Sequence, residues 1–88
     1  MYDIIDLHLI PGQYDPKDSL IIQLGKFEKE LDNALVRGLS EFRVIHGMGE
    51  GILKREVHKI LREYPHVKEF SNDYHPLYGW GSTKITFK

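Results

Sequence analysis

The chain has 88 residues and a mass of 10.3 kDa, enough for one domain over residues 1–88 that buries roughly 60–65% of the surface its unfolded form exposes. Hydrophobic content of 41% and charged content of 28% exclude a disordered chain, a fibrous repeat and a membrane span, and no apolar run approaches the ~18–20 residues a bilayer helix needs. With no cysteine there is no disulfide, thiolate zinc site or thiol nucleophile, and a cytoplasmic setting fits. The net charge of −1 excludes a protein that coats nucleic acid through bulk charge.

The charge is unevenly spread. Residues 1–44 carry five Lys/Arg against eight Asp/Glu, and residues 45–88 carry seven against five, so any anion-binding patch belongs to the second half. Ile4 to Leu9 reads as a short, largely apolar strand ended by Pro11-Gly12. Asp15-Pro16 is a helix start, with Asp15 as cap and Pro16 at the first helical position. Leu20, Leu24, Phe27, Leu31 and Leu35 then form an apolar stripe on a long helix stopped at Gly38. Phe42–Ile45 is a second strand and leads into His46-Gly47-Met48-Gly49-Glu50-Gly51. A second helix buries Leu53, Val57, Ile60, Leu61 and Tyr64 and stops at Pro65. Val67–Phe70 is a third strand, and the stretch 71–81 is a polar and aromatic loop. Thr83, Ile85 and Phe87 alternate with Lys84, Thr86 and Lys88 in a half-exposed last strand. The order β-α-β-α-β-β predicts a sheet that begins parallel and finishes antiparallel. With both helices on one face it makes a two-layer α+β sandwich.

Sites in such folds form beyond the carboxyl ends of parallel strands. Asp6 and His8, two apart in a strand, should share a face, and His46 ends the second strand. Two imidazoles and a carboxylate make an acid–base set, with Asp6 orienting a histidine. The plainer reading is that these are packed or edge residues. The glycine loop allows close backbone approach to a ligand, and the helix start after it favours an anion. It matches neither nucleotide motif, because position 52 is Ile and no Gly-Lys-Ser/Thr follows. It therefore suits a phosphate backbone, or is a plain strand–helix turn. Lys54, His58 and Arg62 recur every four residues on what should be the solvent face of the second helix, flanked by Arg55 and Lys59. Tyr74, Tyr78 and Trp80 can stack unpaired bases or pin their loop to the core. Asp6 with His8 could hold a divalent ion such as Mg2+ beside substrate phosphates, though nothing demands it, and no other cofactor is indicated.

Taken together, Asp6-Leu7-His8, then Val44-Ile45-His46-Gly47-Met48-Gly49-Glu50-Gly51-Ile52-Leu53-Lys54, then Gly79-Trp80-Gly81-Ser82-Thr83 resemble the Smr (small MutS-related) domain over roughly residues 4–87. The resemblance implies a fold like the C-terminal domain of bacterial translation initiation factor three. It also implies a nucleic-acid partner, DNA or RNA, in some members the ribosome, and endonuclease activity in several members. It implies Asp6, His8 and His46 as catalytic residues. Gly47, Met48, Gly49 and Gly51, with Lys54 and Arg55, would bind the phosphate backbone, and Gly79, Gly81 and Thr83 match the closing motif. Leu9 stands where the family has Gly, and Lys54 where it has Arg. Such domains often end longer chains. The expected function is thus an Smr-type endonuclease domain cutting DNA or RNA phosphodiesters. The alternative is a binding module for nucleic acid or ribosome that does not cut.

Overall fold

A computed structural model describes residues 3–10, 12–47 and 51–88. Four strands and two helices follow one another as β1 (Ile4–Asp6), α1 (Pro16–Val36), β2 (Glu41–Ile45), α2 (Ile52–Glu63), β3 (Val67–Ser71) and β4 (Ser82–Phe87). β1 pairs with β2 in parallel, and β4 pairs antiparallel with both β2 and β3, so the sheet order is β1-β2-β4-β3. The mixed α+β architecture agrees with the element order expected from the sequence.

The first strand is shorter than its apolar pattern suggests. Leu7 still donates its N–H to the Ile45 carbonyl, 3.0 Å away, but the Asp6 carboxylate folds back to accept the N–H of His8 at 2.9 Å. This Asx turn satisfies the backbone locally and ends the ladder. α1 begins as expected, the Asp15 carboxylate accepting the N–H of Asp18 with Pro16 next to the cap. It ends in a Schellman motif: Gly38 at φ 76° donates to the Leu35 carbonyl, and Leu39 donates to that of Ala34. Leu39 thereby turns back onto the core.

Phe42 and Val44 of β2 face the same side as Ile85 and Phe87 of β4, and Phe42 lies directly opposite Ile85. Phe27, Leu31 and Ala34 of α1 and Val57 and Leu61 of α2 bury against them, joined by Leu7, in one cluster on one face of the sheet. Burying side chains of this size contributes about 1.5–3 kcal/mol each, offset by lost chain entropy. A register shift in β3 between Val67 and Glu69 lets both Val67 and Phe70 face that cluster. The opposite face is polar. There Lys84 lies 3.6 Å from Glu41, and Arg43 donates to the Ser82 hydroxyl. Tyr64, which follows α2, donates to Asp32 of α1 at 2.7 Å and ties the helices together. Among the described residues no helix is long and apolar enough to cross a membrane.

Candidate functional site

The carboxyl ends of β1 and β2 lie side by side because the two strands are parallel neighbours, with Asp6 opposite Ile45. This brings the Asp6-Leu7-His8 turn up to the residues that follow β2. Asp6 and His8 meet through the Asx turn rather than through the strand repeat. Oδ1 of Asp6 accepts the backbone N–H of His8 and lies 2.5 Å from its Nδ1. Burial raises the Asp6 carboxyl, but the hydrogen bonds from His8, with the charges of His8 and Lys26, outweigh it and hold the group below the usual carboxylate range. Asp6 is therefore an anion at neutral pH, fixing the proton of His8 on Nδ1. The other ring nitrogen, Nε2, points to Gly47: a Cβ on that glycine would stand 3.1 Å from it. Both side chains are more than half exposed, so a polymer can reach them. Two side chains of α1, unforeseen in the sequence, brace this turn. Gln23 donates to the Leu7 carbonyl at 2.8 Å and Lys26 to that of Asp6 at 3.1 Å.

Gly47 is squeezed from both sides. It adopts φ 81°, which L side chains rarely tolerate, and Gly81 packs on it so closely that a Cβ at position 81 would meet Gly47 backbone at 3.3 Å and the Tyr78 carbonyl at 3.0 Å. The carbonyl of Gly81 accepts the N–H groups of both His46 and Gly47 at 2.9 Å. His8, Gly47 and Gly81 thus form one continuous contact.

His46 lies beneath them, nearly inaccessible, with both ring nitrogens engaged. Nδ1 is 2.9 Å from the Gly47 carbonyl, which only accepts, so Nδ1 carries the proton. Nε2 then accepts from the Thr83 hydroxyl at 2.8 Å, and that oxygen accepts from Nε2 of His58, also at 2.8 Å. The order is His58 to Thr83 to His46 to the Gly47 carbonyl. Burial, opposed by the bond to Gly47 and helped by the charge of Lys54, lowers the pKa of His46. Burial, with the nearby charges of His46, Lys54 and Arg62, brings His58 down to about 4. Both rings are neutral at pH 7, as the chain of donors requires.

This arrangement changes the parts expected of several residues. His58 turns inward and is only partly exposed. Its ring lies 5.0 Å from Phe70 and 6.0 Å from His46. Its place three residues before Leu61 was the available sign, since a helix against a sheet buries a stripe broader than one row. Lys54 also turns inward and donates to Asn72 Oδ1 at 2.9 Å. Thr83 is fully buried, so it supports the histidines and offers no hydroxyl to a phosphate. Gly81 is buried too and acts as the strap over Gly47, while Gly79 sits at φ 57° in the loop before it. Arg55 is exposed, with Glu56 4.0 Å away. Gly51 precedes α2 at φ 83°, and among the described residues no side chain caps the helix. Met48 and Gly49 lie outside the described residues. Asn72 was not foreseen and left no sequence sign. Among the described residues no three His, Cys, Asp or Glu side chains converge on a metal-binding point.

A family model, the Smr domain, matches residues 23–88. Endonuclease MutS2 of Solidesulfovibrio magneticus is 47% identical over 58 residues, 66% of this chain and 8% of that protein. Endonuclease MutS2 of Caldicellulosiruptor bescii is 36% identical over 69 residues, 78% of this chain and again 8% of that protein. The chain thus spans under a tenth of the length of these relatives. The crystal structure of the Smr domain of Thermus thermophilus MutS2 superposes with a TM-score of 0.78 at 26% identity, over 98% of each chain. YdaL, a stand-alone small MutS-related protein from Escherichia coli, shares the fold with a TM-score of 0.71 at 20% identity, over 98% of this chain and 64% of that one.

Proposed function

The chain belongs to the Smr domain family, and from that premise we propose that it binds nucleic acid and cuts its phosphodiester backbone, with the Asp6–His8 pair as the reacting base. The observation that carries the reading is the orientation of His8: its Nδ1 is held by an anionic carboxylate and its Nε2 is left facing the Gly47 backbone beside solvent. Nε2 takes the proton of the attacking hydroxyl, from water or a ribose 2′-OH. The new phosphorus–oxygen bond forms as the old one breaks, and the leaving oxygen is protonated from solvent. Asp6 stabilises the imidazolium that results, as carboxylates do in triads. The uncapped start of α2, Arg55 and Lys26 hold the phosphate and offset its growing charge. His46 acts here as a positioning residue: its Nδ1–H fixes the Gly47 carbonyl, and with it the backbone against which His8 rests. The partner is a DNA or RNA strand, and the work is cytoplasmic, within a longer chain as in the relatives named endonucleases.

A second reading, binding without cutting, draws on the engagement of both His46 nitrogens, which leaves one free imidazole in the site where two were expected. One experiment separates the two. The purified domain is incubated with end-labelled single-stranded RNA, single-stranded DNA and supercoiled plasmid, each with magnesium and with chelator, beside His8→Ala and Asp6→Asn. The proposed chemistry predicts that His8→Ala lowers turnover by about 10²–10⁴-fold with affinity within about twofold. Asp6→Asn, which no longer stabilises the imidazolium, should fall in the same direction. Cleavage that survives both changes overturns the assignment, and salt-sensitive binding with no cleavage by the unaltered protein leaves the second reading.

A further inference from the structure

The connection between β3 and β4 carries the aromatic residues Tyr74 and Trp80, which the site above does not use, and its backbone is held by polar groups. Asn72 Nδ2 donates to the carbonyls of Trp80 and Ser82, at 2.8 and 2.6 Å, while its Oδ1 accepts from Lys54. His75 and Gly79 exchange backbone hydrogen bonds at 2.8 and 2.7 Å, and the His75 ring accepts the N–H of Leu77 at 3.0 Å. Tyr78 stacks on that ring at 4.6 Å. The loop therefore keeps its shape without Tyr74 and Trp80, which meet edge to face at 5.5 Å and stay 62% and 54% exposed. Two large rings held in water by a fixed backbone present a preformed apolar face.

Resting on the nucleic-acid reading above, we infer that Trp80, supported by Tyr74, is a stacking platform for an unpaired base next to the scissile phosphate, so that the substrate is a single strand. Position argues for this occupant. Gly81, the residue after Trp80, packs on Gly47, and Gly47 lies against the imidazole of His8. Trp80 thus adjoins in sequence the glycine contact beside His8, and a strand crossing that contact can lay an unpaired base on its exposed ring. Charge argues the same way. The platform is tied through Asn72 to Lys54, and the stretch Lys54–Arg62 carries four cationic residues against one acidic residue, which suits a polyanion. A duplex already stacks both faces of each base, so only an unpaired base can present one without first leaving its neighbours.

Trp80 is the single tryptophan of the chain, so it reports on itself. The full chain is titrated with a short single-stranded oligonucleotide, in ribose and deoxyribose forms, with the matched duplex and with an abasic strand, following tryptophan fluorescence. Anisotropy of a labelled strand gives affinity for Trp80→Ala, Trp80→Phe and Tyr74→Ala. The platform predicts saturable quenching by the single strand and little by the duplex or abasic strand. Trp80→Ala should weaken single-strand binding by roughly 5- to 150-fold, the range one base–ring stack supplies, and Trp80→Phe should restore most of it. Equal binding of abasic and normal strands, or Trp80→Ala within twofold of the unaltered protein while salt-sensitive binding persists, overturns the platform and leaves the nucleic-acid reading standing. No binding of any strand at low salt overturns both and turns attention to a protein partner.

Discussion

The hydroxyl of Thr83 is a single oxygen on which two histidines depend, so Thr83→Val is a sharp perturbation. Valine keeps the branched shape and the volume, so no cavity opens in a site that is fully buried. What disappears is the acceptor for His58 Nε2–H and the donor to His46 Nε2, each at 2.8 Å. Two hydrogen bonds contribute about 1 kcal/mol each, and the buried His46 nitrogen, left unpaired, costs about 1–3 kcal/mol, whereas half-buried His58 can recruit water. The expected loss is about 3–5 kcal/mol, a fall in Tm of about 12–40 °C for a domain of this size. Thr83→Ser keeps the hydroxyl and gives up one buried methyl, about 0.5–1.5 kcal/mol, so stability should rank Thr, Ser, Val. Urea titration at pH 7, followed by far-ultraviolet circular dichroism, reads this directly. A valine variant within about 0.5 kcal/mol of the parent, or more stable than the serine variant, would refute the bridge and the proton assignment built on it.

Gly47→Ala should cost about 1–2 kcal/mol for forcing alanine into the left-handed region. Because its Cβ would also press on His8 Nε2, the variant should lose far more cleavage than stability. Gly38→Ala is the control, since it sits at φ 76° with open space around it and should lose stability alone, by melting and by turnover on the same preparations. The histidine pair sets a pH dependence. With the His58 pKa lowered to about 4 in the fold, against an ordinary value of 6.5, the unfolded chain takes up the proton first. Its contribution to stability is therefore full above about pH 6.5 and declines as pH falls from there to about 4, by about 1–2 kcal/mol after allowance for solvent screening of a half-buried ring. Urea midpoints between pH 7.5 and pH 4 should show the decline, and His58→Gln should flatten it. An unchanged slope in that variant would place the proton uptake elsewhere.

Local patterns carried much of this protein's structure on their face. Asp15-Pro16 and Gly38 bracket α1 where their chemistry says they should, and the alternation of Thr83, Ile85 and Phe87 marks a strand with one buried face. These are short-range effects, in which a cap, a fixed φ or a two-residue repeat acts within a few positions. The ordered motifs around His8, His46 and Thr83 come together in the fold, His8 against Gly47 and His46 on the Thr83 hydroxyl.

The division of labour inside that neighbourhood came only from the tertiary structure. Apolar periodicity ran β1 to Leu9, because it cannot weigh the Asp6 carboxylate that captures the His8 N–H and ends the strand. His58 and Lys54 looked solvent-facing on a helical wheel, yet α2 lies against the sheet so that one reaches Thr83 and the other Asn72. The deciding event is the insertion of β4 between β2 and β3. That pairing sets Val44 opposite Thr83 and Ile45 opposite Ser82, and so delivers a hydroxyl from near the end of the chain to a histidine from its middle. Thr83 and His46, 37 positions apart, meet there through strand register, and His58, 25 positions from Thr83, joins them from α2. Register follows from burying whole faces of the sheet together, a property of the folded chain that no local stretch of sequence contains.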